Sequence, residues 1–368
     1  MKKLIFRKIL KDIFIFFLLV SLSITLIVWV IQAVNYLDIV SEDGHSLAIY
    51  FKYTLLNLPK IFSRTLVFIF FVSIFYVILK YENNNELIVF WSNGITKMHF
   101  INIIIIFSLF FLIIQLLFTV YFVPSSQNKA RSYIRASNID FFPSLIKEKK
   151  FIDTVKNLTI FIEKKNKDGT LEKVFLKEDL SSLNSQIIYA KKGAIISLGD
   201  KTYLKLYDGK IINKKSTKVD TFSFKETEID LSKYKTKTTT FPKIQELSTN
   251  NIFQCLSLKN YSTINCKGKN TTFYLQEFFK RFYMPLYIPL IALVSSLIIF
   301  GSKDDFNFAR FKNFIFSLGV ILIILSEVTV RYFDDKILYN IIFLLLPLSI
   351  FILIYSSIFI FKNKDSYK

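Results

Sequence analysis

The chain has 368 residues, 52% of them apolar, with 41 phenylalanines and a net charge of +20. Its two histidines and two cysteines fall in no spacing that suggests a metal centre. Run length decides where the apolar residues go. A hydrocarbon core about 30 Å thick takes about 20 residues of helix at 1.5 Å each.

The start is basic, with Lys2, Lys3, Arg7, Lys8 and Lys11 against Asp12. The uncharged run 13–34 is too long for a secretory signal, and no small-residue cleavage site follows it. It reads as an uncleaved first span. Residues 36–53 read as a short loop with Lys52 against Asp38, Glu42 and Asp43. The second span, 59–79, carries Lys60 and Arg64 in its first turns, where long cations can snorkel to the headgroups. Pro59 suits a first helical position. In the loop 81–99, apolar residues at 87, 88, 90 and 91 predict a short amphipathic helix over 86–92. Asn83, Asn84 and Asn85 are cap candidates, and Gly94 is a C-terminal stop. Such a helix suits docking a partner or lying on lipid headgroups. Residues 100–123 are uncharged and form the third span.

The segment that follows changes character. Helix is expected to continue to about residue 139, and strands then take over at 151–163, 173–177, 187–198, 203–207, 210–214 and 219–231. Turn residues separate them: Lys167-Asp168-Gly169, Gly199-Asp200 and Tyr207-Asp208-Gly209. Short strands with Asp-Gly-type turns argue for an antiparallel sheet or sandwich, with a bulge expected at Gly193. Residues 236–270 read as a polar linker with a short helix. Cys255 and Cys266 lie there, and both a disulfide and two free thiols fit the sequence. Residues 124–280 hold 29 Lys/Arg and 16 Asp/Glu. That excess suits an anionic partner such as a phosphorylated glycolipid, and equally a lysine-rich solvated surface.

Residues 282–300 and 337–361 are uncharged. Residues 313–326 extend to 332 with Glu327 and Arg331, one turn apart, as an interfacial ion pair. The fold is thus an α-helical membrane protein with six transmembrane helices in two blocks of three, plus an inserted periplasmic antiparallel β-domain. Residues 1–123 hold helices one to three, 124–276 the insert and 277–368 helices four to six. The short loops set direction: the basic start, the tail with Lys362, Lys364 and Lys368, and the loop with Lys303, Arg310 and Lys312 place both termini in the cytoplasm.

No GxxxxGK[ST] loop, nucleophile elbow or HExxH motif occurs, so no ATPase or hydrolase chemistry is expected of this chain. Carboxylates within the spans are nearly missing, which weighs against a proton-coupled carrier.

Four patterns carry a resemblance. The second span opens Asn57-Leu58-Pro59-Lys60. The cytoplasmic loop holds Glu86-Leu87 and then Gly94. Val123-Pro124 with Ala130-Arg131 leaves the third span. The fourth span opens Lys280-Arg281-Phe282-Tyr283-Met284-Pro285-Leu286-Tyr287-Ile288-Pro289-Leu290. In this order they resemble the LptF/LptG permease family of the lipopolysaccharide exporter. The last is the most specific. The insert is similar by size and strand pattern only.

The resemblance implies a β-jellyroll-like insert and an ABC transporter permease of the inner membrane that uses no cofactor of its own. It implies a heterodimer with a paralogous LptG-like permease and a dimeric LptB-like cytoplasmic ATPase that consumes the ATP. It further implies a single-span LptC-like subunit, a periplasmic bridge protein and lipopolysaccharide as cargo, with no nucleic acid. Lys60, Arg64 and Arg281 would contact the lipid phosphates or headgroup. Glu86, Leu87 and Gly94 would form the coupling helix that meets the ATPase. The outer end of the first span, Gln32 to Tyr36, lacks the basic residues often found in the family, which shifts that task to Lys60, Arg64 and Arg281. Leu37-Asp38-Ile39-Val40 and Asp43-Gly44 look more like LptF. The LptG paralogue is the first alternative, and a scaffold or signalling protein with an exported β-domain is the second.

Overall fold

The computed structural model describes residues 2–41, 46–136, 148–155, 157–166, 169–181, 184–198, 201–215, 218–231, 243–257, 271–333 and 337–365. Its contacts divide the chain into two compact units. One comprises Met1–Val30, Asn57–Gln127 and Lys243–Lys368, and the other Ile31–Leu56 and Asn128–Pro242.

The first three spans are built from α1 (Lys2–Asn35), α4 (Leu58–Asn83) and α6 (Lys97–Leu117). The stretch 36–53, expected as a loop, is largely helical: α2 covers Asp38–Ser41 and α3 covers Leu47–Leu55. Tyr50 and Thr54, four apart, are the buried residues of α3. The apolar run of α6 continues through a π-helical turn, Phe118–Phe122, into α7, Val123–Ala136. Among the described residues six helical stretches are long and apolar enough to cross a membrane: Lys3–Val40, Leu47–Asn83, Lys97–Ile134, Thr271–Phe300, Phe308–Val330 and Tyr339–Ile360.

The helical unit is organised around the fourth span, which is not one helix. After α8 (Thr249–Ser257) come α9 (Thr271–Tyr283), a 3-10 turn over Met284–Leu286, and α10 (Tyr287–Ser296). Pro285 has no N–H to give a continuous α-helix, and the tighter turn absorbs it. Every residue of α10 except Pro289 is buried. It packs against α4, α6, α11 (Phe308–Val330) and α12 (Ile337–Asp365). Ser295 and Ser296 lie in this core, and each hydroxyl donates to a carbonyl of its own helix, Ile291 and Leu293. Tyr283 and Tyr287 share a hydrogen bond at 2.6 Å, and Thr329 donates to Tyr283 Oη at 2.9 Å. Such pairing is required where no water reaches.

The other unit holds one antiparallel sheet: β1 Phe151–Val155, β2 Leu158–Lys165, β3 Thr170–Ser181, β4 Asn184–Leu198, β5 Lys201–Lys215 and β6 Lys218–Asp230. Each strand pairs with the next in the chain. Leu158, Ile160 and Ile162 alternate inward from β2 and meet Leu171, Val174, Leu176, Ile188, Ala190, Leu204 and Leu206.

Three details depart from the sequence reading. The stretch 151–163 is two strands, reversing beside Asn157 at φ +63°, a conformation that asparagine tolerates. The expected strands 203–207 and 210–214 are one, since Asp208 at φ +51° turns the backbone without ending the ladder. A Cβ at Gly209 would collide with the Tyr189 carbonyl and the Phe224 ring, so only glycine keeps that register. Finally, Gly193 sits in regular register opposite Leu171 and Leu206, and the irregular pairings lie at Ile152/Val155 and Asp179/Ser181 instead. Cys255, buried on α8 against Ile252 and Tyr274, is disulfide-bonded. The other cysteine of the chain, Cys266, lies outside the described residues.

Candidate functional site

Lys60 and Arg64 are four apart on α4 and open into one cleft of the helical unit. Pro59 sits in the first turn of that helix and pre-sets its entrance. The third span faces them with Gln115 and Gln127, and the fourth with Glu277, Lys280 and Arg281; Glu327 of α11 closes the far side. Val67, Phe68, Met284 and Ile323 supply an apolar wall beside these charges.

Two buried amides fix the cleft. Gln115 Nε2 donates to the Ser63 carbonyl at 2.9 Å, which locks the second span to the third. Gln127 donates to Asn57 Oδ1 at 2.5 Å, so its own Oε1 is turned to accept Lys60 Nζ at 3.3 Å. Lys60 is half-buried and held in place, whereas Arg64 is exposed.

The charges do not contribute equally. Arg281 is 2% exposed, and each of its three guanidinium nitrogens donates a hydrogen bond. It pairs with Glu277 at 3.2 Å and donates to Thr249 Oγ1 at 2.7 Å, to the Leu247 carbonyl at 2.9 Å and to the Gln245 carbonyl at 3.4 Å. Arg281 lines the cleft with Lys60 and Arg64, and in this structure its donors brace residues 245–249 against the fourth span. Lys280 pairs with Glu327 at 3.5 Å, so Glu327 turns to the fourth span and not to Arg331. With these two pairs neutralised, the excess positive charge of the cleft belongs to Lys60 and Arg64. A fixed ammonium beside a free guanidinium fork is suited to a phosphate or carboxylate, and the apolar wall to hydrocarbon. Sequence reasoning missed Glu277, although its spacing of four from Arg281 was a legible pairing signal. Gln115 and Gln127 gave no such signal, as lone amides in helices whose partners come from elsewhere in the chain.

The second expected site forms as a helix with the expected bounds, α5, Glu86–Ser92. Gly94 adopts φ +68°, its N–H donates to the Trp91 carbonyl, and Ile95 N–H donates to the Phe90 carbonyl. That is a Schellman termination, and Phe90 and Ile95 supply its buried apolar contact. Asn85, at the N-cap, uses no side-chain bond; Asn84 instead donates to Glu86 Oε1 at 3.1 Å. Glu86 Oε2 meets Lys8 Nζ at 3.2 Å. These contacts, the Asn84 bond foremost, hold the Glu86 carboxyl below its ordinary pKa. Leu87 is 1% exposed and seats the helix in the core, and the neighbouring Ile88 and Val89 are exposed apolar residues.

Six membrane-length helices, with a basic, part-apolar cleft among four of them and an inserted antiparallel sheet, define a multi-pass membrane protein. The family described as lipopolysaccharide export system permease LptF/LptG matches residues 7–362, nearly the whole chain, and this chain belongs to it. Membership with the six spans makes it a multi-pass inner-membrane protein of a permease family. The chain is also 22% identical over 207 residues to a Rickettsia prowazekii (strain Madrid E) protein named Uncharacterized protein RP871. That match covers 56% of this chain and 57% of the relative, so the chain spans little more than half the length of the curated relative it matches.

Proposed function

We propose that this chain is a permease subunit that takes lipopolysaccharide from the outer leaflet of the inner membrane and passes it to a periplasmic bridge towards the outer membrane. The observation that carries the reading is the pair of unneutralised cations, Lys60 and Arg64, beside the apolar wall of Val67, Phe68, Met284 and Ile323. Lipid A phosphates and acyl chains have that combination of chemistry. Arg64 supplies the mobile contact and Lys60 the fixed one.

In this reading the chain is the LptF-like half of a heterodimer with an LptG-like paralogue, joined by a single-span LptC-like subunit. A dimeric LptB-like ATPase docks on α5 and consumes the ATP. The charge of the short loops supports cytoplasmic termini and a periplasmic sheet. Purification of the tagged chain from its native membrane, with mass spectrometry of partners and bound lipid, tests the whole proposal. A phosphorylated glycolipid, a paralogous permease and an ATPase are the expected companions. Recovery of the chain with none of them sinks it.

A further inference from the structure

A second basic feature lies outside the cleft. Lys3, Arg7 and Lys11 stand at successive fourth positions along α1, so they form one stripe. All three are exposed, and among the described residues none has an ion-pair partner. Their neighbours on other faces are engaged: Lys8 pairs with Glu86 and Asp12 accepts from Tyr81 Oη at 2.6 Å. The stripe borders a groove between α1 and α6. Beyond the cations the groove walls are Leu10, Phe14, Ile103 and Phe107, all half-buried. His99, edge-on to Phe6 at 5.6 Å, stands at the mouth in the first turn of α6, where the helix dipole adds positive potential.

We infer that this groove holds one anionic glycerophospholipid of the leaflet surrounding residues 3–14. The order of chemistry along the groove is that of the lipid: cations at the headgroup level, then hydrocarbon walls deeper in the span. An exposed row of cations, without an ion-pair partner among the described residues, attracts an anionic headgroup, and a polybasic stretch at the membrane surface does so for any protein. The apolar walls turn that attraction into a site, because an acyl chain laid between α1 and α6 covers Leu10, Phe14 and Ile103. The inference does not depend on the cleft at Lys60 or on its cargo.

The test is native mass spectrometry of the full-length chain released from vesicles of phosphatidylcholine and phosphatidylglycerol. Wild type is expected to retain phosphatidylglycerol in preference to phosphatidylcholine. Lys3→Gln/Arg7→Gln/Lys11→Gln should lower that retention on the order of tenfold. Lys303→Gln/Arg310→Gln/Lys312→Gln removes the same formal charge from the same end of the helical unit, where Lys303 contacts Glu82 and Asn83, and should leave it intact. Ile103→Trp, which keeps every charge and fills the groove, should lower it as well. Unchanged retention in the first variant, equal loss in the control, or unchanged retention in Ile103→Trp each overturns the inference. So does release of a co-purifying protein by Ile103→Trp with lipid retention unaltered, since the groove would then be a protein interface.

Discussion

Lys60 donates to Gln127 across 3.3 Å, and through this contact the second span holds the third at the mouth of the cleft. Gln127 is buried and also donates to Asn57, so one amide serves two residues of the second span's entrance. Gln127→Leu removes both bonds in a place where replacements are scarce. The variant should lose about 2 kcal/mol of stability, read as an earlier thermal transition in detergent. An unchanged transition would show that the amide is not an organising contact.

Arg281 makes a sharper case. Its guanidinium reaches Glu277, Thr249 and the carbonyls of Gln245 and Leu247 at once. Lysine keeps the charge but cannot reproduce the fork. Arg281→Gln should cost about 3 kcal/mol because Glu277 is left without its partner, and Arg281→Lys should recover only part of it. Full recovery in the lysine variant would mean that charge alone is needed there.

Gly319 on α11 faces the ring of Phe71 on α4 so closely that a Cβ would overlap it. Phe71 is wholly buried and cannot swing aside. Gly319→Ala should therefore destabilise by about 1–3 kcal/mol through overpacking. Phe71→Leu placed in that background should be better tolerated than Phe71→Leu alone. A double-mutant cycle checks this, and additive effects would contradict the contact.

Glu86 is the polar point of α5 and is held by Asn84 and Lys8. Its depressed pKa has a definite sign: the contacts stabilise the fold above the unfolded carboxyl pKa and are lost as pH falls through the lower folded value. Carboxyl carbon-13 NMR should find Glu86 titrating below its value in a peptide of the same sequence. Asn84→Ala should raise it more than Lys8→Gln does. Under the transport reading, Glu86→Lys should abolish co-purification of the ATPase. Retention of the ATPase would favour the scaffold reading.

Much of this architecture was legible because it follows from the solvent. Uncharged runs of 20 or so residues gave the spans, and the spacing of residues 87, 88, 90 and 91 gave α5. The failures were of three kinds. Positive φ at Asn157 ended a strand where none was expected, and the Asp208-Gly209 pair, which looks like a turn in sequence, lies in mid-strand. Helix α3 was hidden because it is short and follows a polar stretch of sequence. In the site, Lys60 and Arg64 were readable as cations near a span end, whereas the burial of Arg281 and Leu87 rests on long-range contacts. Arg281 meets groups more than 30 residues away, and no local pattern announces that.

The central claim is that Lys60 and Arg64 are the charges that meet the lipid phosphates. Lys60→Glu/Arg64→Glu reverses both, and a photo-crosslinker at Phe68, which lines the same cleft, reports the lipopolysaccharide that enters. Crosslinking in the assembled complex should fall at least tenfold relative to wild type, as about 1.4 kcal/mol of lost attraction suffices for that factor. Wild-type crosslinking in the double variant, with the complex intact, would contradict the account.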